Sequence, residues 1–249
     1  MQIYFTCCFF ILGAIFGSFY NVVILRLPNH ESIVHGSSHC PKCLTVIKPY
    51  DLIPIISYLF LNGKCRHCHQ PIAIRYPLIE FLTGSLFALT FWNYGFTIQT
   101  LIGLILNSLL IIIAMIDIDT MEIYDRFQIM LGCLAIISLF ISPLPFTDHL
   151  IGFFIISGPF LLIAYLTNGI GGGDIKLIAV CGFLLGYQAT IVAFFFASVI
   201  GGIIAVLLLA TKQKDRKSQI AFGPYLCIGV ALAYLYGLPI MNWYLSLMF

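Results

Sequence analysis

Eight apolar runs dominate the chain, at about 3–25, 77–94, 97–118, 126–143, 149–167, 174–188, 189–210 and 222–247. A helix needs roughly 17–25 apolar residues to cross a bilayer, and a span must satisfy its backbone groups internally. Runs of this number and length predict an all-α polytopic membrane protein with about eight transmembrane helices. Composition agrees: 61% of the 249 residues are hydrophobic and 9% charged, against about 25% charged in soluble domains. The sixth run is short, and its break from the seventh is placed near Gly186.

Charge orients these runs. All twelve Lys and Arg fall between Arg26 and Arg75, at Arg126, at Lys176, or in the stretch Lys212 to Lys217. With eight spans these places share one side of the membrane. The segments near 95, 145 and 188 and both termini carry none. The positive-inside rule makes the charged side cytoplasmic and puts both termini outside. Arg26 follows the first run and no basic residue precedes it, so that run reads as a retained anchor and not a cleaved signal. A net charge of +2 gives no footing for nucleic acid. The 211–219 loop, TKQKDRKSQ, reads as an orientation signal touching lipid headgroups. No internal repeat is evident.

Nine cysteines divide into two sets. Cys7, Cys8, Cys133, Cys181 and Cys227 lie in apolar runs and read as small buried hydrophobes. The others form Cys40-Pro-Lys-Cys43 and Cys65-Arg-His-Cys68, with 21 residues between the pairs. Two CxxC turns so arranged resemble a tetrahedral Cys₄ zinc site. Lys42, Lys64 and Arg66 are near enough in sequence to offset thiolate charge. A reducing cytoplasm disfavours disulfides, and a polar loop of this size gains folding energy from a metal. Unligated thiols or a redox pair are the alternatives, and His39, His67 and His69 rank second as ligands. Four thiolates leave no open position, so the predicted role is structural.

Acidic residues at membrane depth are costly and mark function. Asp117 closes the third run, in IDIDTMEIYD at 116–125, and Asp174 opens the sixth, after Gly171-Gly172-Gly173. The chain crosses outward and returns between them, so both carboxylates are expected at one cytoplasmic depth. Two carboxylates brought together in a low dielectric cannot both ionise readily. One can then take a proton from water while the other donates to a carbonyl, which is aspartic-peptidase chemistry. The three glycines let backbone approach an extended substrate. The plainer readings are Asp174 as a helix N-cap, Asp119, Glu122 and Asp125 as a hydrated turn, and Glu80 in a structural pairing with Arg75.

Taken together, these segments resemble the bacterial type IV prepilin peptidase family, the GxGD aspartic membrane peptidases. The matching segments run in family order: Gly17-Ser-Phe-Tyr-Asn-Val-Val-Ile-Leu-Arg-Leu-Pro28, the paired CxxC loop ending in RYPLIE, IDIDTMEIYD, GGGDIKL at 171–177 and Phe222-Gly-Pro-Tyr-Leu226. The resemblance implies that Asp117 and Asp174 are catalytic. It also implies cleavage of prepilin or pseudopilin proteins at the cytoplasmic face of the inner membrane, after a glycine and before a hydrophobic helix. Many members also methylate the new N-terminus with S-adenosylmethionine, which here rests on resemblance alone. Ile123-Tyr124-Asp125 departs from the usual Leu/Ile-Pro-Asp, and Ala221 stands where a proline commonly precedes Phe-Gly-Pro. The implied division is a first transmembrane helix at 1–26, a cytoplasmic zinc loop at 27–76, and a seven-helix peptidase core at 77–249.

Two other readings compete. A presenilin-like protease also pairs Asp with GxGD, but it has a PAL-type motif that is missing here and lacks this cysteine loop. A cation transporter would place its acids nearer mid-membrane and show repeat symmetry.

Overall fold

The computed structural model describes residues 1–167, 169, 171–211 and 220–248. The basic stretch at 212–217 lies outside the described residues, as do positions 168 and 170 ahead of the glycines. The described residues form helices and no strand, with two isolated bridges. Each apolar run becomes one helix: α1 Gln2–Arg26, α3 Arg75–Tyr94, α4 Ile98–Thr120, α5 Asp125–Leu139, α6 Phe146–Thr167, α7 Gly172–Leu185, α8 Tyr187–Ala210 and α9 Gly223–Met248. A short α2, Ile56–Phe60, and a 3₁₀ turn, Pro49–Leu52, lie between α1 and α3.

Eight helices stand where eight spans were expected, and five of them (α1, α4, α6, α8 and α9) are long and apolar enough to cross a membrane. Helices α5 and α7 have 15 and 14 residues. At 1.5 Å per residue that is about 21–23 Å, short of a hydrocarbon core of about 30 Å. The expected break falls at Gly186, whose φ of +78° ends α7 and starts α8. Only glycine takes that conformation at little cost.

The chain divides into two compact units, Met1–Ser108 and Leu109–Phe249. In the first, α1 packs along α3. A Cβ on Gly17 would stand 3.0 Å from Thr83 Oγ1, so this contact needs small residues. Polar groups on these helices find partners within the protein, as burial demands: the Tyr20 hydroxyl donates to Ser108 Oγ at 2.6 Å and Asn107 Nδ2 to Thr90 Oγ1 at 3.1 Å.

In the second unit α7 is the central element, with α5, α6, α8 and α9 packed on it. Leu177, Ile178 and Cys181 are buried to 1% exposure or less. Gly152 of α6 and Gly182 of α7 touch so closely that a Cβ on either would strike the other's backbone. The fully buried His149 clamps the same pair, with Nδ1 2.6 Å from the Phe183 carbonyl and Nε2 3.0 Å from Ser142 Oγ. These contacts hold the C-terminal end of α7 against α6, and the acidic glycine motif opens the other end of the same helix. The apolar cysteines only half follow expectation. Cys181 and Cys227 are buried, whereas Cys7, Cys8 and Cys133 are exposed on helix faces, because an apolar run does not say which of its sides meets protein.

Candidate active site and metal centre

The loop between α1 and α3 builds its cysteine turns twice. Leu44 N donates to the Cys40 carbonyl and Cys40 N to the Thr45 carbonyl. In the second turn His69 N donates to the Cys65 carbonyl and Cys65 N to the Gln70 carbonyl. Leu44 and His69 share a left-handed backbone, with φ of 57° and 58°, and bridges His39–Val46 and Lys64–Pro71 flank the turns. Sequence inspection finds no repeat here because only the cysteines recur. The repeat is one of backbone.

Together the turns converge four sulfurs. Cys40, Cys43, Cys65 and Cys68 place Sγ atoms all within 4.8 Å of one another, with Cys40–Cys68 at 3.8 Å and Cys43–Cys65 at 4.0 Å. A tetrahedron with zinc–sulfur bonds near 2.3 Å has edges of about 3.8 Å, so the thiols stand at metal-ligand spacing. Hydrogen bonds to Thr45 lower the Cys43 thiol to about 6, and backbone bonds with Cys68 and His67 lower Cys65. Cys68 runs the other way. Its backbone bond with Gln70 lowers it, but desolvation and sharing with Cys43, Cys65 and Cys40 push it up to about 11. His39, His67 and His69 are exposed and outside the cluster. Arg66 directs its fork to Asp51, at 2.6 and 2.9 Å, and that partner holds Asp51 below the usual carboxylate range.

Beside the turns lies a cavity of about 540 Å³, lined in part by Asn21, Asp51, Tyr58, Tyr76 and Glu80. Glu80 is 8% exposed, and its Oε2 accepts a bond from Ile55 N at 2.7 Å. Ile55 has φ +62°, a strained conformation for a β-branched residue. Glu80 therefore holds the loop in a shape it would not take alone.

The acidic site belongs to the second unit. Asp117 sits in the last turn of α4 and is 5% exposed. Helix α4 then stops: Met121 turns left-handed at φ +56° and its N–H bonds back to the Asp117 carbonyl at 2.9 Å. Asp174 is half-buried in the first turn of α7, and the N-cap is Gly171. The plain reading of Asp174 as the cap is thus replaced. Its Oδ2 curls back to 3.4 Å from where a Gly171 Cβ would be.

Ile123 and Gly223 join the two carboxylates. A Cβ on Gly173 would meet Ile123 Cβ at 3.0 Å, and one on Gly223 would meet Ile123 Cδ1 at 3.1 Å and collide with Asp117 Oδ2. The Gly223 N–H also bonds to the Asp117 carboxylate. Asp117 and Asp174 stand within electrostatic reach of one another, and each keeps one buried oxygen unpaired, Asp117 Oδ2 and Asp174 Oδ1. Such a pair can share a proton and polarise a water.

Around the pair, Gly172 faces open space. Asp119, Glu122 and Asp125 are exposed. Asp125 pairs with Lys176 Nζ at 2.7 Å, and Gln128 Nε2 donates to the Gly173 carbonyl at 2.9 Å. Sequence reasoning missed Ile123, Gln128 and the part played by Gly223. The Phe-Gly-Pro segment was a signal for the last, while nothing in the local sequence singles out the other two.

Comparison with known proteins shows the family of the chain. Residues 11–94 match the bacterial peptidase A24 N-terminal domain and residues 104–206 the type IV leader peptidase family. The chain is 37% identical, over 96% of its length and 97% of the relative's, to a prepilin leader peptidase/N-methyltransferase of Bacillus subtilis (strain 168). Proteins of the same name from Neisseria gonorrhoeae and Pseudomonas aeruginosa are 37% and 32% identical, over 88% and 97% of this chain and 86% and 94% of theirs. No solved structure matches significantly. Aligned nearly end to end with these relatives, the chain belongs to the type IV leader peptidase family.

Proposed function

We propose that Asp117 and Asp174 are the catalytic pair of an aspartic endopeptidase that removes the leader from prepilin or pseudopilin proteins. The carrying observation is the two buried, unpaired carboxylate oxygens, on side chains that feel one another's charge beside a glycine loop. The ionised member takes a proton from water, whose oxygen adds to the scissile carbonyl. The protonated member gives its proton to the carbonyl oxygen. Collapse of the tetrahedral adduct breaks the C–N bond: the departing nitrogen takes a proton from the acid that now holds one, and a hydroxyl of the adduct returns a proton to the other carboxylate, which restores the singly protonated pair. Gly171, Gly172 and Gly173 leave room for an extended substrate strand beside Asp174.

Charge placement supports a bacterial cytoplasmic membrane location, with this site at the cytoplasmic face. The functional division is then an anchor at 1–26, a zinc loop at 27–76 and a peptidase core at 77–249. The sulfur spacing supports zinc at Cys40, Cys43, Cys65 and Cys68, closed to a fifth ligand and structural in role.

The relatives' names also support N-methylation of the new terminus. The cavity in the first unit fits S-adenosylmethionine in size, and Glu80 and Asn21 offer buried polar groups to hold it. Bound there, the cofactor would supply an electrophilic methyl group. Incubating purified protein with a prepilin in detergent, with and without that cofactor, tests both activities by product mass. Loss of the leader alone supports the peptidase, an added methyl supports the second activity, and an uncut substrate refutes the reading.

A further inference from the structure

One buried side chain next to the acidic pair has no part in the proposed chemistry. Gln128 lies in the first turns of α5 and is 5% exposed. Its Nε2 donates to the carbonyl of Gly173, the residue before Asp174, at 2.9 Å. The amide cannot be turned over, since Oε1 would then face the Gly173 oxygen, acceptor against acceptor. Oε1 is therefore an acceptor, and it is buried without a partner.

Among the described residues, four buried side-chain atoms lack a partner: Asp117 Oδ2, Asp174 Oδ1, Gln128 Oε1 and, in the first unit, Asn107 Oδ1. Gln128 is bonded to Gly173 and Asp174 follows it, while Asp117 Oδ2 lies against Gly223, which meets Ile123 as Gly173 does; all three atoms accept. Burying an acceptor without a donor is unfavourable, so the site is built to receive donors. A water between the carboxylates supplies O–H groups for two of them. The third is a neutral amide oxygen, and its match is a neutral N–H such as an extended peptide backbone presents.

We propose that Gln128 is a substrate-positioning residue, with Nε2 holding the Gly173 carbonyl and Oε1 accepting a hydrogen bond from a substrate backbone N–H beside the cut. This rests on reading Asp117 and Asp174 as the catalytic pair. A purely structural role is the alternative, because Asp125–Lys176 already ties α5 to α7 nearby.

A synthetic prepilin peptide spanning the cut separates the two. Single backbone amides flanking the scissile bond are replaced in turn by esters, each removing one N–H. On the wild-type protein, one position should lower kcat/KM about tenfold, as loss of a single hydrogen bond does. On Gln128→Met, which has neither donor nor acceptor, the baseline should fall and that ester should cost nothing further. Other positions should cost what they did before. On Gln128→Asn, whose amide sits on a stem one carbon shorter and cannot hold both partners, the penalty at that position should shrink. Equal ester penalties on wild type and Gln128→Met at every position would overturn the proposal. If Gln128→Met does not fold, an unchanged penalty on Gln128→Asn overturns it instead. Cleavage surviving in Asp117→Asn or Asp174→Asn would sink the catalytic assignment separately, since the ester comparison uses neither variant.

Discussion

Replacing Gly223 with alanine tests the acidic site through a residue that carries no chemistry of its own. The added methyl would collide with Asp117 Oδ2 and press on Ile123 Cδ1 at 3.1 Å. Normal carbon contacts lie near 3.5–4.0 Å, so the carboxylate oxygen must move by on the order of 1 Å. That oxygen ends a side chain, and it can turn away without displacing backbone. Alanine also favours the helix by up to about 1 kcal/mol over glycine, so the folded state should be nearly as stable as before. Chemistry is less forgiving: a 1 Å misplacement costs about a hundredfold in rate, or about 3 kcal/mol of barrier. Gly223→Ala should melt with the wild type yet cleave a prepilin about a hundredfold more slowly. Gly202→Ala, in α8, is the control, since nothing lies within 4 Å of its Cβ position and it has no part in the site. It should stay within about twofold of wild type, the usual range for a surface change. Gly173→Ala, pressed by Ile123, should fall between the two. Full activity in Gly223→Ala would refute the reasoning, and so would a loss that merely follows loss of folded protein.

Purified protein should hold about one zinc per chain by elemental analysis. Serine at Cys40, Cys43, Cys65 or Cys68 should lower that content, while His39→Ala, His67→Ala and His69→Ala should keep it. Asp125→Asn removes an exposed ion pair with Lys176, worth at most about 1 kcal/mol, so cleavage should fall no more than a few-fold and Lys176→Gln should match it. Serine-directed reagents should leave cleavage by the wild-type protein intact, and thiol-directed reagents should leave it intact in a zinc-loaded variant lacking Cys7, Cys8, Cys133, Cys181 and Cys227, measured by product formation.

Part of this arrangement is legible in the sequence. The apolar runs predict the helices and the CxxC spacing the sulfur cluster, while the depth argument expects Asp117 beside Asp174, the pair proposed here as catalytic. Each rests on a regularity carried along the chain: run length, a fixed turn, or the alternation of crossings. Contacts set by how helices meet were not legible. Ile123 reads in sequence as the matching first residue of a motif that departs at Tyr124, yet it is the apolar wedge against Gly173 and Gly223. Gln128 is one polar residue at the start of an apolar run, and only the packing of α5 on α7 brings it to Gly173. Run length also overstates span length, since α5 stops at Leu139 and α7 at Leu185, short of the runs predicted for them.

The central claim is that two carboxylates act as one unit. Its most direct test is the cleavage rate of Asp117→Asn and Asp174→Asn, each purified in detergent with zinc content and melting equal to wild type. Each should lose more than about a thousandfold, on the order of 4 kcal/mol of barrier. The double variant should be no slower than either alone, because a pair that works together is lost with its first member. Measurable cleavage by Asp117→Asn, with Asp125→Asn inactive instead, would contradict the account.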